Sequence, residues 1–304
     1  MKLAAALGIV YIVWGSTYLA IAVADRTLPP FLMLSVRFLI AGVLLYWWSA
    51  RRGEVAAERP GRRQWRAAAI VGGLLLVVDT GGVAWAELRV SSGVSALVVA
   101  SVPFFMAILD RIFFGVRLPA AGVAGLAVGL FGVGLLAGAS GHVDLLGVAV
   151  LLGASFAWAA GSTYARVAAL PRRPFLAAAM QMLCAGAMLA IVGIVRGELG
   201  QVHLSAISNA SLAALLFLIV FGSLIAFTAY GWLLKNASTR ILSTYAYVNP
   251  AVAVFLGWAF VGEHVGGREV AAGLVILSSV GIIALAREPR RLPEPTPESL
   301  PFHI

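Results

Sequence analysis

The octapeptide Trp14-Gly15-Ser16-Thr17-Tyr18-Leu19-Ala20-Ile21 sits inside an apolar run near the N-terminus, and its polar centre returns 146 residues later as Gly161-Ser162-Thr163-Tyr164. Other matches keep the same order and nearly the same offset. Pro30-Phe31 answers to Pro174-Phe175, and RFLIAGVLL at 37–45 answers to QMLCAGAML at 181–189, both 144 residues apart. Trp85 answers to Trp232, Ser91 to Ser238, Pro103 to Pro250 and Gly115 to Gly262, all 147 apart. Single coincidences are cheap in apolar sequence, but an ordered series at a near-constant offset marks an internal duplication.

Composition decides the solvent for which the repeated unit is written. The chain is 61% hydrophobic and 12% charged, with mean hydropathy +0.97, whereas a soluble domain is about 45–50% apolar and roughly 25% charged. Runs of about 20 apolar residues, enough to cross about 30 Å of hydrocarbon, recur along the chain. Their flanks place spans at 3–24, 31–50, 67–86, 94–114, 119–138, 145–166, 174–195, 211–234, 241–261 and 267–286. The fold class expected is therefore an all-α integral membrane protein of ten transmembrane helices. The weakest divisions are the short breaks at Gly115 to Leu118 and Gly262 to Gly266.

Five helices per unit is an odd number, so the second copy enters the bilayer upside down. The expected architecture is two inverted five-helix repeats, 1–142 and 143–287, followed by a disordered cytoplasmic tail at 288–304 with five prolines. With the N-terminus inside, 17 of the 22 Lys and Arg residues fall on the cytoplasmic side, while Arg26, Arg89, Arg196 and Arg268 fall outside and Arg37 lies within a span. This asymmetry puts both termini in the cytoplasm of a cell whose inner membrane holds the protein. Lys2, the apolar run and Ala22-Val23-Ala24 imitate a secretory signal; duplication of its polar core at Gly161 favours an uncleaved first helix. The net charge of +9 has a topological reason in the Arg51–Arg66 loop, so nucleic acid is not an expected partner. Membrane lipids are.

YIVWGSTYLAI at 11–21, Arg37-Phe38 in helix 2, SSGVSALVVASVPFF at 91–105 and above all STYAYVNPAVAVFLG at 243–257 resemble the EamA-type members of the drug/metabolite transporter superfamily over residues 7–286. The resemblance implies ten helices, a central cavity and export of small metabolites, amino acids included, as in YddG-like exporters. The sequence departs from that family's usual pattern at Asp79 in VVDTGGVAWAE, 77–87.

Polar and ionisable groups inside a span are candidates for handling cargo, because leaving them unpartnered in hydrocarbon costs several kcal/mol. Arg37 and Asp79 are expected at similar depths in helices 2 and 3, either as a structural ion pair or as a pair opened during transport, with Asp79 as the natural proton-coupling group. Tyr245 and Asn249 share one helical face in the densest polar run of any span. Together with Trp14, Ser16, Tyr18, Trp158, Ser162 and Gln181 they form the expected cavity lining. Pro103 and Pro250 are expected to bend helices 4 and 9 at mid-membrane and act as hinges.

The single Cys184 rules out an intrachain disulfide and a cysteine-rich metal site. No GxxxxGK[ST], HExxH or GxSxG motif occurs, which argues against an ATP-driven pump, a zinc protease or a serine hydrolase. The reading is a secondary transporter without cofactor or metal, working as a monomer and exporting a small-molecule substrate, a neutral or aromatic amino acid, by alternating access. A drug or organic-cation exporter is the alternative, and an intramembrane enzyme acting on lipid-linked substrates is the reading from another class.

Overall fold

The computed structural model describes residues 2–90, 95, 98–116, 119–137, 144–256 and 267–285, and their regular elements are all helices. In chain order these are α1 (Lys2–Ala24), α2 (Pro30–Arg51), the short α3 (Glu54–Glu58), α4 (Arg62–Glu87), α5 (Val102–Phe114), α6 (Ala120–Ala137), α7 (Leu145–Ala165), α8 (Pro174–Val195), α9 (Asn209–Asn236), the short α10 (Thr239–Leu242), α11 (Tyr245–Leu256) and α12 (Gly267–Leu285). Each expected span contains a described helix, and six helices, α1, α2, α4, α7, α8 and α9, are long and apolar enough to cross a membrane on their own. The expected break at Gly262 to Gly266 and the tail at 288–304 lie outside the described residues. The break after α5 is described in part: Gly115 ends the helix in the left-handed region at φ 65°, where a side chain would be strained.

The contact between α2 and α8 sets the register of the molecule. A Cβ built on Gly42 would stand 2.9 Å from Leu183 Cγ, and one on Gly186 would stand 2.8 Å from Leu39 Cγ. Gly42 and Gly186 are repeat equivalents, as are Leu39 and Leu183, so each leucine fills the notch opened by the other copy's glycine. The same relation holds between α6 and α12. There Gly129 faces Ser279, and Gly132 faces Ile276, and at the offset of 147 Gly129 corresponds to Ile276 and Gly132 to Ser279. In both pairs contacting numbers rise on one helix as they fall on the other, so the paired helices run antiparallel. A contact in which i meets j and j meets i is what a two-fold axis produces.

Hydrogen bonds at the helix ends sort the loops into two faces. On the face carrying Arg51 and Arg52, here the basic face, Glu58 accepts from the backbone N–H of Arg172 and Arg173, both at 2.8 Å, and Lys235 donates to the Pro171 carbonyl at 3.1 Å. Trp47 and Trp48, both about half exposed, carry Arg51 and Arg52 over their rings at 4.7 and 5.6 Å, an interfacial belt that sequence reading did not single out. On the opposite face the first turn of α2 begins with Pro30, needs no donor there, and points its next two amides at Glu198, Phe31 N at 3.3 Å and Leu32 N at 2.8 Å. Asp144 caps α7 by accepting from Leu146 N and Gly147 N, and Ser211 donates to the Val23 carbonyl at 2.9 Å. Thus α1 begins on the basic face and α7, its repeat equivalent, begins on the opposite one.

Two predictions follow from this packing. Gly186→Ala puts a methyl 3.0 Å from the Leu39 amide nitrogen, an overpacking expected to cost about 1–3 kcal/mol; Gly8→Ala, with nothing within 4 Å, is the neutral control, and thermal denaturation in detergent separates them. Beyond the end of α1, burial and then the nearby Glu198 push the Asp25 carboxyl up to about 7, and its Oδ1 is buried without a partner. A carboxyl raised in the folded state from an unfolded 3.8 favours folding in acid and loses that contribution as pH rises through about 7. Melting temperature should therefore fall between about pH 4 and 7, the interval bounded by the unfolded and folded values, and Asp25→Asn should flatten that fall.

Candidate functional site

Two of the long helices change their winding at midspan. Gly73–Thr80 in α4 and Leu218–Phe227 in α9 are π-helical, and the first segment shifted by 147 residues falls inside the second. A π turn widens the helix and aims side chains away from the 3.6-residue face, which is why such turns gather at functional sites. Here the two segments present Asp79 and Thr80 from α4, and Gly222 and Phe227 from α9, to a cavity of about 100 Å³. Its wall is completed by Trp14, Thr17 and Tyr18 of α1, Arg37 and Phe38 of α2, Trp158 of α7, and Tyr245 and Asn249 of α11.

An aromatic cluster underlies this cavity on the side of the basic face. Trp14 packs edge-on to Trp158 at 5.3 Å and to Tyr245 at 5.4 Å, and Tyr230 lies within 5.6 Å of all three rings. Polar atoms of the cluster are tied into it. The Trp158 indole donates to the Tyr230 hydroxyl at 2.9 Å, that hydroxyl is bonded to Ser162 at 2.6 Å, and the Trp14 indole donates to the Gly222 carbonyl at 3.4 Å. Buried polar groups partnered in this way hold the rings in fixed orientations. Asn249, with its amide oriented to satisfy both contacts, donates to the backbone carbonyls of Tyr11 at 3.2 Å and Tyr245 at 3.1 Å, while the Tyr11 hydroxyl is bonded to Thr244 Oγ1. Gly15 allows that approach of α1 to α11, since a Cβ there would meet Val252 at 2.6 Å.

Arg37 and Asp79 face the same cavity, but no ion pair forms between them within 4.0 Å, which corrects the expectation of a structural ion pair. The Arg37 Nε donates to Ser223 Oγ at 2.9 Å across to α9, and its guanidinium stands 4.9 Å over the Phe38 ring. That bond draws the side chain towards α9 and away from α4.

Other expectations need correction as well. Ser16 folds its hydroxyl back onto the Ile12 and Val13 carbonyls at 2.6 and 3.0 Å, as serines in apolar helices do, and does not line the cavity. Ser162 is fully buried beneath the cavity, on Tyr230. Gln181 lies in a separate void of about 20 Å³ with Leu75, Tyr230 and Lys235, room for about one water. The antiparallel mating of α2 and α8 puts it there, because the equivalent of Arg37 must appear on the other side of the aromatic cluster. Pro103 is not at mid-helix: the chain turns at Ala100 and Ser101, and Pro103 stands in the first turn of α5, where the missing donor is no loss. Pro250 lies inside α11.

Sequence reading missed Gly222, Ser223, Phe227 and Tyr230, all in or beside the π segment of α9. The repeat carries the one signal that could have found them, since these positions correspond to Leu75, Leu76, Thr80 and Val83 around Asp79. Between α5, α7 and α10 it also missed a cluster on the basic face: Arg166 Nη1 bonds both Asp110 carboxylate oxygens at 3.2 and 3.1 Å, and Thr239 donates to Asp110 as well.

A profile of the EamA-like transporter family matches the chain twice, over residues 2–138 and 145–285. The Escherichia coli K12 protein named "Uncharacterized inner membrane transporter YedA" is 38% identical over 94% of this chain and 92% of its own length. A "Probable amino-acid metabolite efflux pump" of the same organism is 24% identical over 90% and 92%, and a "Probable terminal-alkyne amino-acid exporter" of Streptantibioticus cattleyicolor is 26% identical over the same shares. A solved crystal structure at 22% identity superposes with a TM-score of 0.78 over 93% of this chain and 97% of that one, which shows a common fold. The duplicated helical unit, its apolar spans and this double match lead to one assignment: the chain is a transmembrane protein of the EamA-like transporter family.

Proposed function

We propose that the protein is a secondary transporter of the bacterial inner membrane that exports small amphipathic metabolites, neutral or aromatic amino acids foremost, by alternating access. One observation carries this reading. The frame is two-fold related at α2–α8 and at α6–α12, yet the voids on the two sides of the aromatic cluster differ, about 100 Å³ beside Arg37 and about 20 Å³ beside Gln181. A symmetric frame holding unequal cavities supports a carrier resting with one side open, in which exchanging the conformations of the halves would exchange the cavities. The tetrad glycines support it: Gly15 packs on Val252 of α11, whereas Gly161 packs on Leu74 and Leu75 of α4, a non-equivalent neighbour. Names of the relatives, one an inner membrane transporter and two concerned with amino acids, agree with the location and the cargo.

In this reading ten helices form two inverted five-helix repeats, 1–142 and 143–287, both termini lie in the cytoplasm, and the protein works as a monomer in lipid. The larger cavity then faces outward. The cluster of Asp110, Arg166 and Thr239 joins helix ends of the two halves on the cytoplasmic face and holds that side closed. The bend between Ala100 and Pro103, and α11 around Pro250, are the places where helices 4 and 9 flex. Asp79 without an ion-pair partner favours, as a second reading, an organic-cation exporter; Arg37 in the same cavity opposes it.

Reconstitution in liposomes tests the function. Labelled neutral amino acids should show saturable flux that Asn249→Ala reduces tenfold or more, and flux measured with and without a pH gradient reports whether protons are coupled. Saturable flux of cationic drugs alone would replace this reading with the second. The closed cytoplasmic side has its own test. Asp110→Asn leaves Arg166 without its counter-charge, so in a Cys184→Ser background a single cysteine at Leu234 should react with a maleimide severalfold faster than in the parent protein.

A further inference from the structure

Arg37 and Asp79 are the two charged side chains among the residues lining the larger cavity. Both are more than nine-tenths buried, at 5% and 8% exposure. Arg37 uses only Nε in a hydrogen bond, to Ser223, and both Nη groups are left without an acceptor among the described residues. No described residue donates to the Asp79 carboxylate. Burying a charge without a counter-charge costs several kcal/mol, and nothing in the packing requires these two. At the positions related by the repeat the second half carries Gln181 and Ala226, and the same helix contacts form there without either charge. A guanidinium with two free Nη groups and a carboxyl group without a donor, separated by more than ion-pair distance in one cavity over an aromatic floor, are complementary to a ligand that brings a carboxylate and an ammonium.

Resting on the amino-acid reading above, we infer that Arg37 and Asp79 form a split clamp for a zwitterion: the free Nη groups of Arg37 take the α-carboxylate, Asp79 takes the α-ammonium, and the side chain lies on Trp14, Trp158 and Tyr245. Guanidinium suits the first role because its fork can give two parallel bonds to a carboxylate. Gly222 sets the position of that fork, since a Cβ there would lie 2.8 Å from Arg37 Nη2. Discrimination follows from the same charges. A ligand lacking either ionic group leaves one buried charge uncompensated, which penalises it more strongly than loss of a bond alone.

The test measures competition against labelled L-phenylalanine in proteoliposomes, using phenethylamine, which lacks the carboxylate, and 3-phenylpropionate, which lacks the ammonium. Thermal stabilisation of the purified protein by each compound gives a second readout independent of flux. In the parent protein phenylalanine should win over both analogues by tenfold or more. Arg37→Gln should bring phenethylamine level with phenylalanine while leaving phenylpropionate disfavoured, and Asp79→Asn should do the reverse. Arg37→Lys and Asp79→Glu, which keep the charges, should retain most of the discrimination. Gly222→Ala should weaken discrimination against phenethylamine with Arg37 intact, which covers the case of an Arg37→Gln protein that does not fold. Saturable phenylalanine flux with parental discrimination in the neutralised variants overturns the clamp and leaves the transport reading standing. Absence of saturable amino-acid flux in the parent overturns the transport reading itself.

Discussion

The close approach of α2 and α8 is the constraint on which the rest of the structure depends. Lipid offers helices no hydrophobic reward for association, so they are held by tight packing, and small residues are what permit it. Gly42 and Gly186 each admit the other copy's leucine, so a single sequence motif written twice generates both sides of the contact. Once that crossing is fixed as antiparallel, much of the geometry follows. The first turn of α2 meets Glu198, the end of α3 meets the start of α8, and Arg37 and Gln181 are sent to opposite sides of the aromatic cluster. The matching crossing of α6 and α12 lies on a second pair of repeat-related helices and carries the same two-fold relation, so the relation extends beyond one contact.

Superimposed on this symmetry is a pattern of local inequality. Arg37 has Gln181 as its counterpart, Asp79 has Ala226, and Ser16, bonded to its own helix, has Ser162, bonded to Tyr230. Frame positions such as Gly42, Leu39, Gly129 and Gly132 are shared or reciprocated, and so are Thr17 and Tyr18 in the cavity wall, while the charged positions facing the cavity are not. Packing therefore explains the first set, and ligand chemistry is the natural explanation of the second. The π segments belong to both: they recur at equivalent places, yet only the one in α4 delivers a charge.

Much of this could be read from the chain before its fold was known. The offset between RFLIAGVLL and QMLCAGAML and the spacing of apolar runs carry the duplicated helical frame, because hydrocarbon thickness acts directly on sequence. The candidate site was legible where a residue is conspicuous by type, as with Arg37, Asp79, Trp14, Trp158 and Asn249. It was not legible where local winding departs from 3.6 residues per turn. Gly222 and Ser223 lie within the π segment of α9, and a glycine that yields space to a guanidinium leaves no mark of its own. Gln181 is hidden for a different reason: residue type marks it as a hydrogen bonder, but only the antiparallel crossing of α2 and α8 carries it across the aromatic cluster. Pro103 shows the limit of arguing from residue type, since the same ring that bends a helix interior is a comfortable first-turn residue.

The mismatch between Arg37 and Gln181 also bears on energetics around a transport cycle. If a cargo is gripped more firmly where Arg37 stands than where Gln181 stands, detailed balance forbids the two empty shapes and the two loaded shapes from having the same energy difference. Whatever binding strength is gained on one side must reappear as a shift in the equilibrium between shapes once cargo is aboard. Such a carrier would show unequal half-saturation concentrations on its two faces while still bringing an uncoupled cargo to the same concentration on both.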